Sequence, residues 1–426
     1  MSISYTKTLP ILGEYDVVVA GGGPAGIGAA VRAARDGARV LMIERSGVLG
    51  GNLTLGHVCP LLGSVAPGTF YDEVAALFRR GHEDEPIHKT RNGIEIPIDH
   101  EEAKCRLTAL VAESGAEFWL STPIVDTLTE GNRVTGVVVS TATGLGAVMG
   151  KVVIDATGDG TVAALAGAEF AVGRESDGLT QPCTLEFLVT GVDESVGIAA
   201  WGGSDPVKLP DGREYRQVCR AAAESGELPA NVTIVRLHRT FRPGERSVNA
   251  TQYNGLDAFD PASVADAERT LRGQIEQIVA FLRRNVPGYE NIRVVSSAGS
   301  LGVRETRRIL GDYVLNDNDV EQGTHRPDAA VRDAWFLIDI HNPAGGGQAE
   351  GHSQPAKPYD IPFACLLPRG LEGIMTAGRC ISGTHRAHAS YRVMAICLAT
   401  GEAAGMVAAK AAKSGKTPRE VAPTQA

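Results

Sequence analysis

The chain has 426 residues, 43% of them hydrophobic and 21% charged, with a formal net charge of -9. That length allows two or three domains and a large core, and the composition is that of a water-soluble globular protein. The acidic balance and the lack of a long basic run argue against nucleic acid as the main partner.

The opening residues, MSISYTKTLPILGE, lack the charged start and apolar centre of a signal peptide. No stretch is read as a transmembrane helix, and a cytoplasmic location is expected. Residues 15–44 then form the most informative run, YDVVVAGGGPAGIGAAVRAARDGARVLMIE. A buried strand leads into Gly21, Gly23 and Gly26, a helix runs to about Arg35, and a second strand ends on Glu44. This is a βαβ unit carrying the dinucleotide fingerprint. Gly21 allows the tight turn, Gly23 lets the backbone approach a pyrophosphate, and Gly26 lets helix and strand pack closely. The helix N-terminus offers free N–H groups and a positive dipole end to phosphates. Glu44 stands where a carboxylate accepts hydrogen bonds from an adenosine ribose, and its charge disfavours a 2′-phosphate.

A glycine-rich loop with one short helix follows Glu44. Residues 70–80 and 99–114 carry helical spacing, and residues 117–120 form a short strand. Residues 125–129 and 134–140 flank the turn Glu-Gly-Asn-Arg and read as a hairpin. A buried strand at 151–155 runs into Ala-Thr-Gly-Asp-Gly. The middle of the chain reads as a mixed sheet with strands at 184–190, 232–238 and 247–253. A long amphipathic helix over 262–286 is stopped by Pro287 and Gly288. Residues 317–360 are loop-rich, residues 373–377 form a strand, and a helix runs from Ser390 to about Lys413. The expected organisation is a discontinuous nucleotide domain, 1–165 and 356–426, with a mixed α+β substrate or cap domain, 166–355, inserted. The seven cysteines are scattered without a CxxC, which suggests reduced thiols.

GGGPAG with Glu44, Gly50-Gly51-Asn52, IDATGDG at 154–160, GVRETRRILGDYVL at 302–315, IDIHNP at 338–343 and AGRCISGTHRAHASYRVMAICLATGEAAG at 377–405 occur in order. With these motifs the chain resembles FAD-dependent oxidoreductases of the glutathione-reductase-type superfamily. Within them it is most similar to a bacterial group distantly related to fumarate reductase flavoproteins. The resemblance covers most of the chain and implies an α/β fold with a Rossmann-like FAD-binding domain. It implies FAD contacts at Gly21, Gly23, Pro24, Ala25, Gly26, Glu44, Arg45, Gly51 and Asn52. Thr157, Gly158 and Asp159 are a second contact segment, and Gly378 and Arg379 a third. The backbone amides of Arg392 and Val393 would face the flavin from the following helix. No second complete fingerprint is present and no CxxC, which argues against a pyridine-nucleotide disulfide reductase.

The expected reaction moves a hydride between a small organic substrate and flavin N5, and it needs a proton donor or acceptor. His385 is the first candidate and His341 the second. Arg304, beside Arg307, is placed to clamp a substrate carboxylate, or else pairs internally with Glu305 or Asp312. His388 reads as a helix cap, and Tyr391 and Arg386 are weaker candidates. His57 raises covalent FAD attachment, but TLGHVCP departs from the Ser-His-Thr of succinate dehydrogenases, so non-covalent FAD is expected. His341, His352, His385 and Glu350 match no metal-ligand spacing, and no metal is expected. Alternatives are fumarate- or enoate-like C=C reduction, and a flavin subunit passing electrons to a separate acceptor. Homo-oligomerisation stays open.

Overall fold

The computed structural model describes residues 3–85, 88–90, 93–200, 206–345 and 356–423. The first strand, β1 (Ile11–Ala20), ends in four fully buried residues, Val17 to Ala20. Such a run, apolar on both faces, belongs in the middle of a covered parallel sheet, and β1 lies there. On one side it pairs in parallel with β2 (Val40–Ile43), and β2 with β3 (Glu117–Trp119). On the other side it pairs in parallel with β6 (Gly144–Asp155). Earlier in the chain, β4 (Ile124–Glu130) and β5 (Arg133–Thr141) form the expected hairpin, and β5 continues antiparallel onto β6. The strand reaches back to Gly144, well before the expected start at 151.

Helix α1 (Pro24–Arg35) follows β1 directly, and α2 (His100–Glu113) precedes β3. Asp99 caps α2 by accepting the amides of Glu101 and Glu102 at 3.0 and 3.2 Å.

A second hydrophobic cluster gathers residues between Cys183 and Ala298. Its antiparallel sheet holds β7 (Phe187–Thr190), β8 (Arg236–Arg239), β9 (Glu245–Asn249) and β10 (Arg293–Ser297), in the order β8-β9-β7-β10. Helix α3 (Pro261–Asn285) buries Leu271, Ile275, Ile278, Phe281 and Leu282 in the same cluster. The strands are shorter than expected and partly shifted. Around Thr184 and Thr251 the side chains bond each other and nearby backbone, with Leu185 N–H donating to Thr251 Oγ1 at 2.7 Å. Such local bonds compete with a regular ladder, and only isolated bridges join Cys183 to Tyr253 and Thr184 to Gly302.

Residues 317–360 hold more structure than expected: a helix over Asp317–Gln322 with an Asn316 capping box, and paired strands Ala329–Ala334 and Tyr359–Pro362. The chain then returns to the first sheet, where β11 (Ile374–Thr376) pairs in parallel with the C-terminal half of β6.

The expected helix from Ser390 is two helices, α4 (His385–Tyr391) and α5 (Met394–Ser414). Val393 between them is extended, with φ -77° and ψ 158°. The break is fixed from outside. Ser390 Oγ donates to the Phe336 carbonyl, Tyr391 Oη to the Ile381 carbonyl, and Ala395 N–H to the Leu62 carbonyl.

α5 is apolar over most of its surface, Glu402, Lys410 and Lys413 apart, and crosses α1 at backbone contact. A Cβ on Gly401 would stand 2.0 Å from the Ala25 carbonyl oxygen, and one on Gly405 2.3 Å from that of Ala29. By length and composition α5 could cross a membrane, with mean hydropathy 1.2, which corrects the expectation that no stretch could. Yet 83% of that stretch is buried inside the protein, as in a core helix.

Candidate functional site

Strand register puts four motifs at one edge. Ala20 is level with Ile43 and with Asp155, and Thr376 is level with Asp155. The segments just beyond these residues are Gly21–Gly26, Glu44–Arg45, Thr157–Asp159 and Gly378–Arg379. They therefore share the crevice outside the carboxyl ends of the parallel strands, where open α/β sheets bind ligands.

The glycines there carry distinct steric demands. Gly21 has φ +101°, and a Cβ on it would approach the Ala156 carbonyl oxygen to 2.6 Å. A Cβ on Gly26 would lie 1.8 Å from the Gly21 carbonyl oxygen. A Cβ on Gly23 would meet nothing within 4 Å. Gly23 is also the N-cap of α1 and supplies no side-chain cap, so the first amides of that helix face open space. Pro24 and Ala25 begin that helix. Gly51 packs over the same turn, 3.2 Å from Gly23 Cα as measured from its would-be Cβ, and Asn52 beside it is exposed. A dinucleotide pyrophosphate fits this cradle: there is room at Gly23, free N–H groups at the helix end, and no acidic side chain in the first turn.

Glu44 turns back over the loop, accepting from the Gly22 amide at 2.6 Å and the Ser46 amide at 2.7 Å. Thr157 Oγ1 donates to buried Asp155 at 2.7 Å, which fixes the turn that presents Gly158 and Asp159. Asp159 accepts from Arg379 at 2.6 Å and from Thr306 at 3.0 Å. Burial would raise the Asp159 carboxyl, but the Arg379 guanidinium outweighs burial and holds it below the usual range. Arg45 is largely exposed and lies 3.8 Å from Asp159.

Beyond this crevice lies a buried polar cluster. His385, the first residue of α4, has Nδ1 2.9 Å from Glu305 Oε1, while its Nε2 is buried without a partner. Glu305 also accepts from the Arg308 guanidinium and from the Gln181 amide, the latter at 3.1 Å. Gln181 Oε1 in turn accepts the His341 amide at 3.2 Å, and Gln181 Nε2 has no partner. Gln181 thus links the two histidines that the sequence singles out.

His341 Nε2 lies 3.2 Å from Asp339 Oδ2. Burial, then the charge of Arg304, pushes the His341 ring down to about 3, so it is neutral near pH 7. Arg392 points its guanidinium at the Asp339 carbonyl and carboxylate, 3.0 and 3.4 Å away. Its amide is bonded to the His388 carbonyl at 3.1 Å, so among the expected pair of amides it is committed inside α4. Val393, Met394 and Ile396 lead the first turn of α5 instead.

Arg304 pairs with neither Glu305 nor Asp312, which bond Arg308 and Arg419. It is 8% exposed and donates to the Pro182 carbonyl at 2.7 Å. Arg307 stacks between Phe170 and Phe259 and donates to the Asp159 carbonyl at 3.2 Å. His388 is no cap: Thr384 caps α4, and His388 is buried with both ring nitrogens unpartnered. Tyr391 is spent on the Ile381 carbonyl, and Arg386 on Asp317 and Glu321.

His57 is buried, holds φ +54°, and stacks on His100 with ring centroids 4.8 Å apart. His352 and Glu350 lie outside the described residues. Among the described residues, the His, Cys, Asp and Glu side chains close enough to share an ion are His325, Asp333 and Asp360. Both Asp360 oxygens already accept backbone amides, of Asp333 and Arg326.

Sequence reasoning missed Gln181, Glu186, Glu305 and Asp339. Glu186 left a trace, an acid between the apolar residues Leu185 and Phe187 of a buried strand. Gln181 left none, because its partners lie 124 and 160 residues away.

A parallel sheet with a glycine-rich turn at its carboxyl edge is the arrangement of dinucleotide-binding folds. A family described as FAD dependent oxidoreductase matches residues 16–426. The chain belongs to that family, and it is an FAD-dependent enzyme. It is 33% identical to a thiamine thiazole synthase of Aeropyrum pernix over 135 residues, 29% of this chain and 43% of that protein. It is 31% identical to a digeranylgeranylglycerophospholipid reductase of Picrophilus torridus over 138 residues, 30% of this chain and 34% of that one. The chain thus matches less than half the length of either relative. Among solved structures, a p-nitrophenol 4-monooxygenase of Pseudomonas putida aligns with TM-score 0.50 and 13% identity, over 96% of this chain and 83% of that one. A geranylgeranyl bacteriochlorophyll reductase-like protein of Thermoplasma acidophilum aligns with TM-score 0.49 and 17% identity, over 95% and 80%.

Proposed function

We propose that this enzyme transfers a hydride between a small organic substrate and FAD, with the substrate bound between the cofactor crevice and the second hydrophobic cluster. Bound FAD supplies the hydride-accepting or hydride-donating centre at N5. The α1 amides and Gly23 hold its pyrophosphate, Glu44 its adenosine ribose, and Asp159 with Arg379 the polar chain beyond. The first turn of α5 would offer a positive dipole end to a bound flavin and so favour negative charge on its ring.

The observation that carries the reading is the His385–Glu305 pair. Glu305 accepts from Nδ1–H, which fixes the tautomer and leaves a buried Nε2 lone pair for a proton of the substrate. In the oxidising direction Nε2 takes the O–H or N–H proton, and the resulting imidazolium is stabilised by the Glu305 carboxylate. In the reducing direction the protonated ring gives it back. His341, neutral and tied to Asp339, serves to orient the substrate. Replacing His385 by Ala should abolish turnover of any substrate that bleaches the flavin anaerobically, with FAD retained. Unchanged turnover would remove His385 from this role.

A second reading, reduction of an activated C=C bond next to a carboxylate, is favoured by Arg304 being buried without an internal carboxylate partner.

A further inference from the structure

Arg304 is a buried guanidinium whose one hydrogen bond among the described residues goes to a neutral carbonyl, that of Pro182. The negative group acting most strongly on it, Asp339, is already shared by His341 and Arg392. The next is Glu186, on the strand segment leading into β7, 2% exposed. Glu186 Oε1 accepts from Asn249 at 2.9 Å, and Oε2 is buried with no partner. Burial pushes its carboxyl up to about 8 against the pull of Arg304, so near neutral pH it holds a proton and adds little negative charge beside Arg304. Gln181, the neighbour of Pro182 and also 2% exposed, has an idle Nε2. Buried donors and charges are ordinarily satisfied, and two unpartnered buried atoms beside a guanidinium bonded to no carboxylate call for one ligand that meets them together.

The region adjoins the cofactor crevice through residues 51–59, and through Thr306, which donates to Asp159. Gly51 touches Gly23 and Pro24, the Leu55 carbonyl accepts from Gly299 at 2.8 Å, and the Cys59 amide acts on Glu186.

We propose that Arg304, Gln181 and Glu186 form a recognition subsite for the carboxylate of an anionic substrate. Arg304 supplies the charge, Gln181 Nε2 and the Glu186 hydroxyl donate hydrogen bonds, and the planar two-oxygen anion supplies the acceptors. The inference rests on the reading that the substrate binds on this side of the flavin.

The test is equilibrium binding of short carboxylates, acetate to succinate, to the holoenzyme. Perturbation of the flavin spectrum and thermal stabilisation are read in parallel, and the neutral succinamide and inorganic phosphate serve as comparisons. At least one carboxylate should bind saturably, and succinamide and phosphate at least about tenfold more weakly, as expected for loss of a charge-assisted bond. Arg304→Met should weaken the carboxylate about tenfold or more and leave succinamide unchanged, and Arg304→Lys should recover part of the loss. Glu186→Gln, which keeps a donor, should retain affinity, and Glu186→Leu should lose it. Equal binding of succinamide, preference for phosphate, no response to any carboxylate, or an unaffected Arg304→Met would overturn the subsite. Thermal stabilisation reads it even in a preparation that lacks flavin, so failure here is separable from failure of the cofactor reading.

Discussion

His385 Nδ1 and Glu305 Oε1 stand 2.9 Å apart, both side chains almost fully buried, although 80 residues separate them in the chain. Glu305 is itself held by Arg308 and the Gln181 amide, so the imidazole plane is fixed and only Nε2 is uncommitted. General acid–base catalysis of this kind contributes about 10²–10⁴-fold in rate. His385→Ala should lose turnover by that order while the flavin spectrum and FAD content stay unchanged. Glu305→Gln should lose less, because Nε2 remains, but should alter the pH profile of turnover. Steady-state rates with FAD quantified in the same samples check both.

The glycine loop separates folding from cofactor binding. Gly23→Ala meets no protein atom within 4 Å, and its φ of -74° suits alanine, so the variant should melt within a few degrees of the parent. Its methyl group enters the space left for the pyrophosphate, so FAD affinity should drop at least about tenfold. Gly26→Ala places a methyl 1.8 Å from the Gly21 carbonyl oxygen and should unfold the βαβ unit or abolish soluble expression. Thermal melts with FAD titration distinguish the two.

Stability should peak near pH 6.5. Burial holds His238 and His341 down at about 3 and His57 at about 4. Unfolded histidine titrates near ~6.5, so below that pH the unfolded chain takes up protons that the folded chain refuses. Stability is lost as pH falls, by about 1.4 kcal/mol per pH unit per group. Glu186, raised to about 8, has the opposite sign: from about 4.5 to 8 the unfolded carboxyl has released a proton that the folded one keeps, so stability is lost as pH rises. Between pH 5 and 6.5 three histidines outweigh one carboxyl. Urea unfolding should show both limbs, with His238→Asn flattening the acid one and Glu186→Gln the alkaline one.

His57 is turned into the protein against His100. Acid precipitation should leave all yellow colour in the supernatant, and His57→Ala should still bind FAD. A yellow pellet would assign a covalent bond.

Much of the cofactor end was legible because its signals are local. Gly21, Gly23, Gly26 and Glu44 lie in one βαβ unit, and each strand-end motif follows its own buried strand. What escaped is non-local. The break at Arg392 and Val393 is made by Leu62, Phe336 and Ile381, residues no helix periodicity contains. Arg304 and Arg307 are three apart on a non-helical stretch, and nothing in VRETRR says that one is buried beside Pro182 while the other stacks on Phe170 and Phe259. α5 read as an ordinary helix, and nothing in its periodicity shows that Gly401 and Gly405 press on the backbone of α1 at Ala25 and Ala29.

The proposed position of FAD is along the carboxyl ends of β1, β2, β6 and β11. Its most direct measurement is the FAD content and visible spectrum of the purified chain and of Gly23→Ala, before and after incubation with excess FAD. About one acid-extractable FAD per parent chain is expected, and a folded Gly23→Ala depleted of it. A folded parent chain that stays colourless, or a Gly23→Ala variant that holds FAD as tightly as the parent, would contradict it.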